Sequence, residues 1–317
     1  MAVYTQLSAD DIKAFLENYD SGALVSFDGI LQGVENTNYK IETDRNNFIL
    51  TVFEKRTNAE DLPFFFDFMA HLEKSGIYCP TVIKDKQGQA IVKIAGKSAA
   101  LIGFLDGHNI DASIITPDLC FEAGALLARM HIAAQSFEQS RENSMSLPAW
   151  KKLFEKIRNE TDDIEKDLSR LIGVELALAE ETLNANLAKA VVHADFFSDN
   201  VFMRNGHVEG VIDFYFSSTD YLIYDLAITV NAWCFDKGVF SAERFNALMK
   251  GYESKRILPK AERSAFHSMA RAAALRILMT RSYDWIFHDP AHLVKPKDPL
   301  EYKRILEFHR DHVLLLG

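Results

Sequence analysis

The dipeptide Asn205-Gly206, set between VFMR and HVEGVI, restricts the fold of this chain more than any other two residues in it. A two-residue hairpin turn whose twist suits its strands needs positive φ at both central positions, which Asn and Gly tolerate. The pair predicts a hairpin in which Arg204 faces His207, Val201 faces Gly210 and Asn200 faces Val211. Side chains alternate along a strand, so Asp213 lies on the face of Val211 and therefore of Asn200. Asp195 precedes this open end by one loop. The expected result is two carboxylates and one amide at a single spot.

Such a spot has three readings: a metal site, a catalytic loop, or ordinary polar turns in a sheet. All three groups offer oxygen, which suits a hard cation such as magnesium, whereas zinc asks for histidine or cysteine. His193 and His207 are held apart by the hairpin. Magnesium keeps several waters and takes one or two carboxylates plus substrate phosphates, which describes Asn200 and Asp213 as its ligands. Asp195 would then orient a hydroxyl and accept its proton. Asp199 projects to the opposite face and reads as a turn or surface group.

The remaining sequence sets this stretch in a two-part chain. Residues 22–53 read as strands (ALVSF, NYKIET, NFILTVF) separated by turns, and a helix follows at about 59–75 with Pro63 in its first turn. Its phenylalanines Phe64, Phe65, Phe66 and Phe68 read as core. CPTVI and AIVKI form a pair of strands around Gln87 and Gly88, and SAALIGFL continues extended. Beyond residue 106 the apolar period becomes helical: Thr116 caps a helix with Pro117 at its first position. Further helical patterns run at about 148–189, 241–254, 261–286 and 299–315. The fold class is α+β: a strand-rich N-terminal lobe over 1–105 and a mostly helical C-terminal lobe over 106–317. A ligand is expected in the cleft between such lobes.

Composition narrows the function. A formal charge of −10 argues against nucleic acid or an acidic membrane as partner. Three scattered cysteines form neither a disulfide framework nor a zinc pattern, so a reducing cytoplasm is the expected location. The N-terminal residues read as a helix capped by Ser8 rather than as a secretory signal, and no apolar run is long enough to span a bilayer. No obligate protein partner is implied.

The order His193-x-Asp195, then Asn200, then Asp213-Phe214 repeats the catalytic loop and metal element of the protein-kinase-like phosphotransferases. GVENTNYKI resembles the nucleotide loop of the aminoglycoside phosphotransferase and choline kinase superfamily, LIGFLDG its interlobe hinge, GALLARMH the helix ahead of the catalytic loop, and YDLA its later Asp motif. Within it, GVENTNY, ILTVFEKR, LPFFF, GVIDFYFSSTDYLIYDLAI, NAWCFD and VKPKDPLEY are most similar to the bacterial homoserine kinases of this fold.

That resemblance implies a two-lobed protein-kinase-like fold and transfer of phosphate from ATP, with Mg2+, to the side-chain hydroxyl of L-homoserine. It assigns Asp195 as catalytic base, His193 as the loop's structural histidine, and Asn200 and Asp213 as magnesium ligands. Asp225 matches an aspartate that braces the loop. Gly33, Asn36, Tyr39 and Phe104 would meet the nucleotide. Thr51 stands where the family's strand lysine is expected, and Lys55 is the nearest substitute. For the amino-acid acceptor, Asp220 suits an ammonium and Arg276 and Arg281 a carboxylate, with Tyr215 and Tyr283 as lining. Two alternatives stay open: a kinase of another small alcohol such as choline, an aminoglycoside or methylthioribose, and a nucleotide-binding module without catalysis.

Overall fold

The computed structural model describes residues 4–30, 36–54, 58–183, 186–288 and 295–316. They form two compact units, the first running to Asp106 and including Lys295, the second comprising Gly107–His288 and the residues from Pro296 on. No helix among the described residues is long and apolar enough to cross a membrane.

In the first unit, α1 (Ala9–Leu16) starts at a capping box: Ser8 Oγ accepts from the Asp11 N–H while the Asp11 carboxylate accepts from the Ser8 N–H. Three antiparallel strands follow, β1 (Leu24–Ile30), β2 (Thr37–Thr43) and β3 (Asn47–Val52). One face of β2 and β3 turns Tyr39, Ile41, Phe48, Leu50 and Val52 into a core with Ile12, Phe15 and Leu16 of α1. Burial of each such side chain stabilises by roughly 1.5–3 kcal/mol. α2 (Leu62–Lys74) carries the four phenylalanines inward, as expected, and ends at Gly76, whose φ of 78° needs glycine.

The strands β4 (Val82–Ile83) and β5 (Val92–Ile94) do not pair with each other around Gln87 and Gly88. Both lie on β6 (Lys97–Gly103), β4 against Leu101 and Ile102, β5 against Lys97 to Ala99. Strand β6 is long enough to serve both end to end, and its apolar centre is buried. The sheet order is β1-β2-β3-β6-β4.

The second unit opens with β7 (His108–Asn109) and α3 (Pro117–Ala134), capped by Thr116 as expected. The helical pattern at 148–189 resolves into α4 (Leu147–Ile157), α5 (Thr161–Ile164) and α6 (Leu168–Thr182). It is broken at Asp167, which takes a left-handed conformation at the start of α6. Then come β8 (Lys189–Val192), β9 (Val201–Arg204), β10 (His207–Val211) and β11 (Ser218–Tyr221). β9 lies between β10 and β7, and β11 pairs antiparallel with β8. α7 (Leu222–Trp233) is a helix that the sequence pattern does not reveal, because it is buried on nearly every side and has no polar face to set a period. The short strands β12 (Phe235–Asp236) and β13 (Val239–Phe240) lead to α8 (Ala242–Glu253), α9 (Lys260–Ile286) and α10 (Pro299–Asp311).

The hairpin forms at Asn205-Gly206, with Arg204 opposite His207, but its register departs from expectation farther in. A bulge at Glu209 puts Gly210 opposite Phe202 and Val211 opposite Val201. The extra residue uses its side chain to accept from Arg204 Nε at 2.6 Å.

Helices α3 and α8 cross at two glycines. A Cβ on Gly124 would meet the Leu248 carbonyl oxygen at 2.1 Å, and one on Gly251 the Phe121 carbonyl oxygen at 1.9 Å. Backbone meets backbone there, so no side chain can yield. His309 of α10, fully buried, shares a 2.7 Å hydrogen bond with Asn231 of α7.

Burial, with the nearby positive charge of His267 and Arg271, holds the His309 ring down to about 3 from its ordinary 6.5. The folded protein keeps it neutral while the unfolded chain protonates it, so stability is intact above 6.5 and falls as pH drops below that value. This group alone should remove about 2 kcal/mol by pH ~5. Urea unfolding of the protein and of His309→Gln at both pH values should show a smaller acid loss in the variant by about that amount; equal losses would refute the assignment.

Candidate active site

Strand β8 delivers the chain into a loop, His193–Asn200, whose backbone is pinned from three sides. Ala194 takes a left-handed conformation, φ 64°, and so does Asp213, φ 66°, at the end of the hairpin. Non-glycine residues hold such angles at a cost of about 1 kcal/mol or more, and keep them only where neighbours enforce it. The enforcement is visible. Asp225 on α7 accepts the His193 N–H at 3.0 Å through Oδ2 and the Ala194 N–H at 2.8 Å through Oδ1. Arg276 on α9 donates from Nη1 to the Ala194 carbonyl at 2.7 Å, and Trp233 Nε1 donates to the Phe196 carbonyl at 2.9 Å.

The Asp225 carboxylate has a third donor, His131 Nε2 on α3 at 3.0 Å. That fixes the tautomer, so His131 Nδ1 accepts from Tyr252 Oη of α8 at 2.7 Å. Burial alone would push the Asp225 carboxyl up; the hydrogen bonds from His131 and the Ala194 N–H more than reverse this and hold it below the ordinary range. Asp225 is thus a buried, ionised clamp, the bracing role expected of it. His131 and Tyr252 are contributors that the sequence could not reveal, since they stand on other helices far along the chain.

Within the loop, His193 receives the Asp195 N–H on Nδ1 at 3.2 Å and gives its Nε2–H to the Ile212 carbonyl at 3.0 Å. Burial lowers its pKa against the pull of Asp225 and Asp195, leaving a neutral ring with a structural task. It touches the hairpin strand as well as the loop, and so ties one to the other. Asn200 Nδ2 donates to both the Asp195 carbonyl and Asp195 Oδ2, each at 2.9 Å. The Asp195 carboxyl is pushed up by burial, with Arg276 and His193 pulling the other way.

Asn200 and Asp213 come together by a different route from strand alternation. Asn200 ends a 3-10 turn, Ser198–Asn200, and its carbonyl accepts the Ile212 N–H at 2.9 Å. Asp213 is the next residue. Because the Asn200 NH2 is spent on Asp195, its Oδ1 is the atom left to face a ligand. Asn200 Oδ1 and the Asp213 carboxylate are both oxygen donors, the kind of group a hard divalent cation takes. No group of three or more His, Cys, Asp or Glu able to hold a metal occurs among the described residues.

The other expected residues are dispersed. Gly33 and Lys55 lie outside the described residues. Asn36 is buried and accepts the Glu54 N–H at 3.2 Å. Tyr39 is in the core, its hydroxyl donating to the Thr5 carbonyl and accepting the Leu7 N–H. Phe104 follows β6, with Lys40 Nζ 5.2 Å from its ring centre. Thr51, in the strand-lysine position, donates to Asn38 Oδ1 at 2.8 Å. Asp220, half-buried on β11, accepts from Asn143 Nδ2 at 2.6 Å. Arg276 is buried against the loop, and Arg281 is paired with Glu301 at 2.6 Å over the Tyr302 ring. Tyr215 sits in the turn after Asp213, and Tyr283 packs on Phe287 with ring centres 4.7 Å apart.

Comparison with known proteins shows the kinship and the fold. The profile of the phosphotransferase enzyme family, APH, matches residues 26–258. Homoserine kinases of Xanthobacter autotrophicus and Paramagnetospirillum magneticum are 43% and 44% identical, over 98% of this chain and 96% and 97% of theirs. Among solved structures, an amicoumacin kinase superposes with a TM-score of 0.71 at 15% identity, covering 95% of this chain and 92% of that one. The choline kinase of Cryptosporidium parvum gives 0.68 at 14%, covering 96% and 95%. These two establish the fold, a strand-rich N-terminal unit followed by a helical one, and the sequence matches establish the kinship. The chain belongs to the phosphotransferase enzyme family and, within it, to the homoserine kinases.

Proposed function

We propose that the protein transfers the γ-phosphoryl group of ATP to the side-chain hydroxyl of L-homoserine, giving O-phospho-L-homoserine and ADP. Identity of 42–44% to homoserine kinases over nearly the whole chain carries the choice of acceptor. The loop geometry carries the chemistry.

Asp195 hydrogen-bonds the acceptor hydroxyl and aligns it for in-line attack. The acceptor oxygen forms its bond to phosphorus as the bond to the bridging oxygen of ADP breaks, and the hydroxyl proton passes to the Asp195 carboxylate. Its raised pKa makes it a better base than an exposed aspartate, while the Asn200 NH2 keeps the carboxylate in one rotamer. Asn200 Oδ1 and Asp213 would hold Mg2+, which when bound would offset the negative charge of the phosphates. Asp220, oriented by Asn143, receives the acceptor's ammonium. Positioning dominates, because phosphoryl transfer asks for little covalent help from the protein.

ADP release with MgATP, measured against L-homoserine, L-serine, L-threonine, choline, methylthioribose and kanamycin, tests the acceptor. Preference for L-homoserine is expected; a different best acceptor would displace it. Asp195→Asn should lower kcat by about 10²- to 10⁴-fold with the melting temperature kept. Near-normal turnover would remove Asp195 from the mechanism. Asp225→Asn should act through the loop instead: an amide cannot accept both N–H groups and the His131 proton. A loss of about 3–5 kcal/mol in urea unfolding, together with a fall in kcat, is expected, and unaltered stability would contradict the clamp.

A further inference from the structure

The reaction proposed above spreads negative charge over the equatorial oxygens of the phosphoryl group in flight, and cations placed there are worth large factors in rate. Thr51 occupies the strand position from which the family's lysine is expected, and its hydroxyl is engaged by Asn38. Positive charge beside the catalytic loop is a second, separate source of such stabilisation.

Among the described residues, Arg276, His193 and Lys297 bear electrostatically on Asp195 as positively charged or chargeable groups. Arg276 is 3% exposed, bonded to the Ala194 carbonyl, with its guanidinium against the Phe216 ring at 5.7 Å, so it belongs to the interior. His193 is buried, kept neutral and spent on Ile212. Lys297 differs from both. Its side chain is 61% exposed, and its ammonium lies 2.8 Å from Asp199 Oδ2 and 5.5 Å from the Phe197 ring centre. Asp199 and Phe197 both belong to the catalytic loop, between Asp195 and Asn200.

The position of Lys297 is built. Asp298, the next residue, caps α10 by accepting the Leu300 N–H, and its carbonyl accepts from Arg281. Arg281 also pairs with Glu301 and lies over the Tyr302 ring, while Tyr302 packs toward Phe197 at 6.4 Å. A rigid helix end thus presents a long, rotatable cation to the loop. Its ion pair with Asp199 is more than half exposed on both sides, and such pairs contribute little to stability and are readily exchanged for a better anion.

We propose that Lys297 is a catalytic residue: its ammonium exchanges Asp199 for the oxygens of the transferring phosphoryl group and neutralises the charge that develops there. The inference rests on the phosphotransfer reading but not on the identity of the acceptor. Lys297→Met should lower kcat on the order of 10²-fold, change KM for acceptor and for MgATP by no more than about threefold, and leave the melting temperature in place. Lys297→Arg should restore part of the loss. A second measurement needs no turnover: calorimetric binding of Mg·ADP with and without aluminium fluoride, which mimics the planar phosphoryl group. The variant should bind ADP alone like the parent and lose at least about tenfold of the fluoride-dependent tightening. Turnover by Lys297→Met within about threefold of the parent overturns the proposal, as does equal tightening in both proteins, nil included. Failure to phosphorylate homoserine with the fluoride result intact would overturn the acceptor and keep Lys297.

Discussion

The carboxylate of Asp225 carries three hydrogen bonds in the interior, and the catalytic loop has its shape because of them. Two go to consecutive backbone N–H groups, His193 and Ala194, at the point where the chain leaves β8 and enters a left-handed turn. Without acceptors there, two buried donors would be stranded at roughly 1–3 kcal/mol each. The third, from His131, keeps the carboxylate ionised where burial alone would neutralise it. A neutral acid would have to turn its own proton toward one of these donors, and the loop would lose a contact.

The clamp depends in turn on how closely the helices approach. His131 lies on α3 and its partner Tyr252 on α8, and these helices meet backbone to backbone at Gly124 and Gly251. Arg256, one turn beyond Tyr252, donates to its hydroxyl at 3.1 Å and forks onto Glu262 at 2.7 Å on both arms. The chain Glu262–Arg256–Tyr252–His131–Asp225 therefore fixes the proton of each member by the next. It ends on the loop that holds Asp195. Packing, tautomer and loop conformation form one structure here, not three layers.

What the sequence disclosed follows from what is local. The Asn205-Gly206 turn, the Ser8 and Thr116 caps and the Gly76 stop each act through a few neighbouring residues, and each is where expected. The hairpin register was legible only as far as the bulge at Glu209, since an extra residue in one strand leaves no signature in a period of two. Asn200 and Asp213 are neighbours nonetheless, through a 3-10 turn and a left-handed residue in place of strand alternation. Helix α7 escaped because it is apolar on all sides, and a uniformly buried helix has no stripe to read. The arginines Arg276 and Arg281 illustrate a further limit: their type suggests an anionic partner, but type cannot say that one bonds the Ala194 carbonyl and the other Glu301. Long-range partners such as His131 for Asp225 carry no mark in a single sequence.

The burial of this relay separates two kinds of electrostatics within one site. Tyr252, His131 and Asp225 are withdrawn from solvent, so mobile ions that screen charge over a Debye length of about 8–10 Å in ordinary buffers hardly reach them. Lys297 and Asp199, more than half exposed, sit in the screened zone. Ionic strength therefore acts on the rim of the site and spares its frame: salt can tune how charged ligands are met without deforming the loop that receives them.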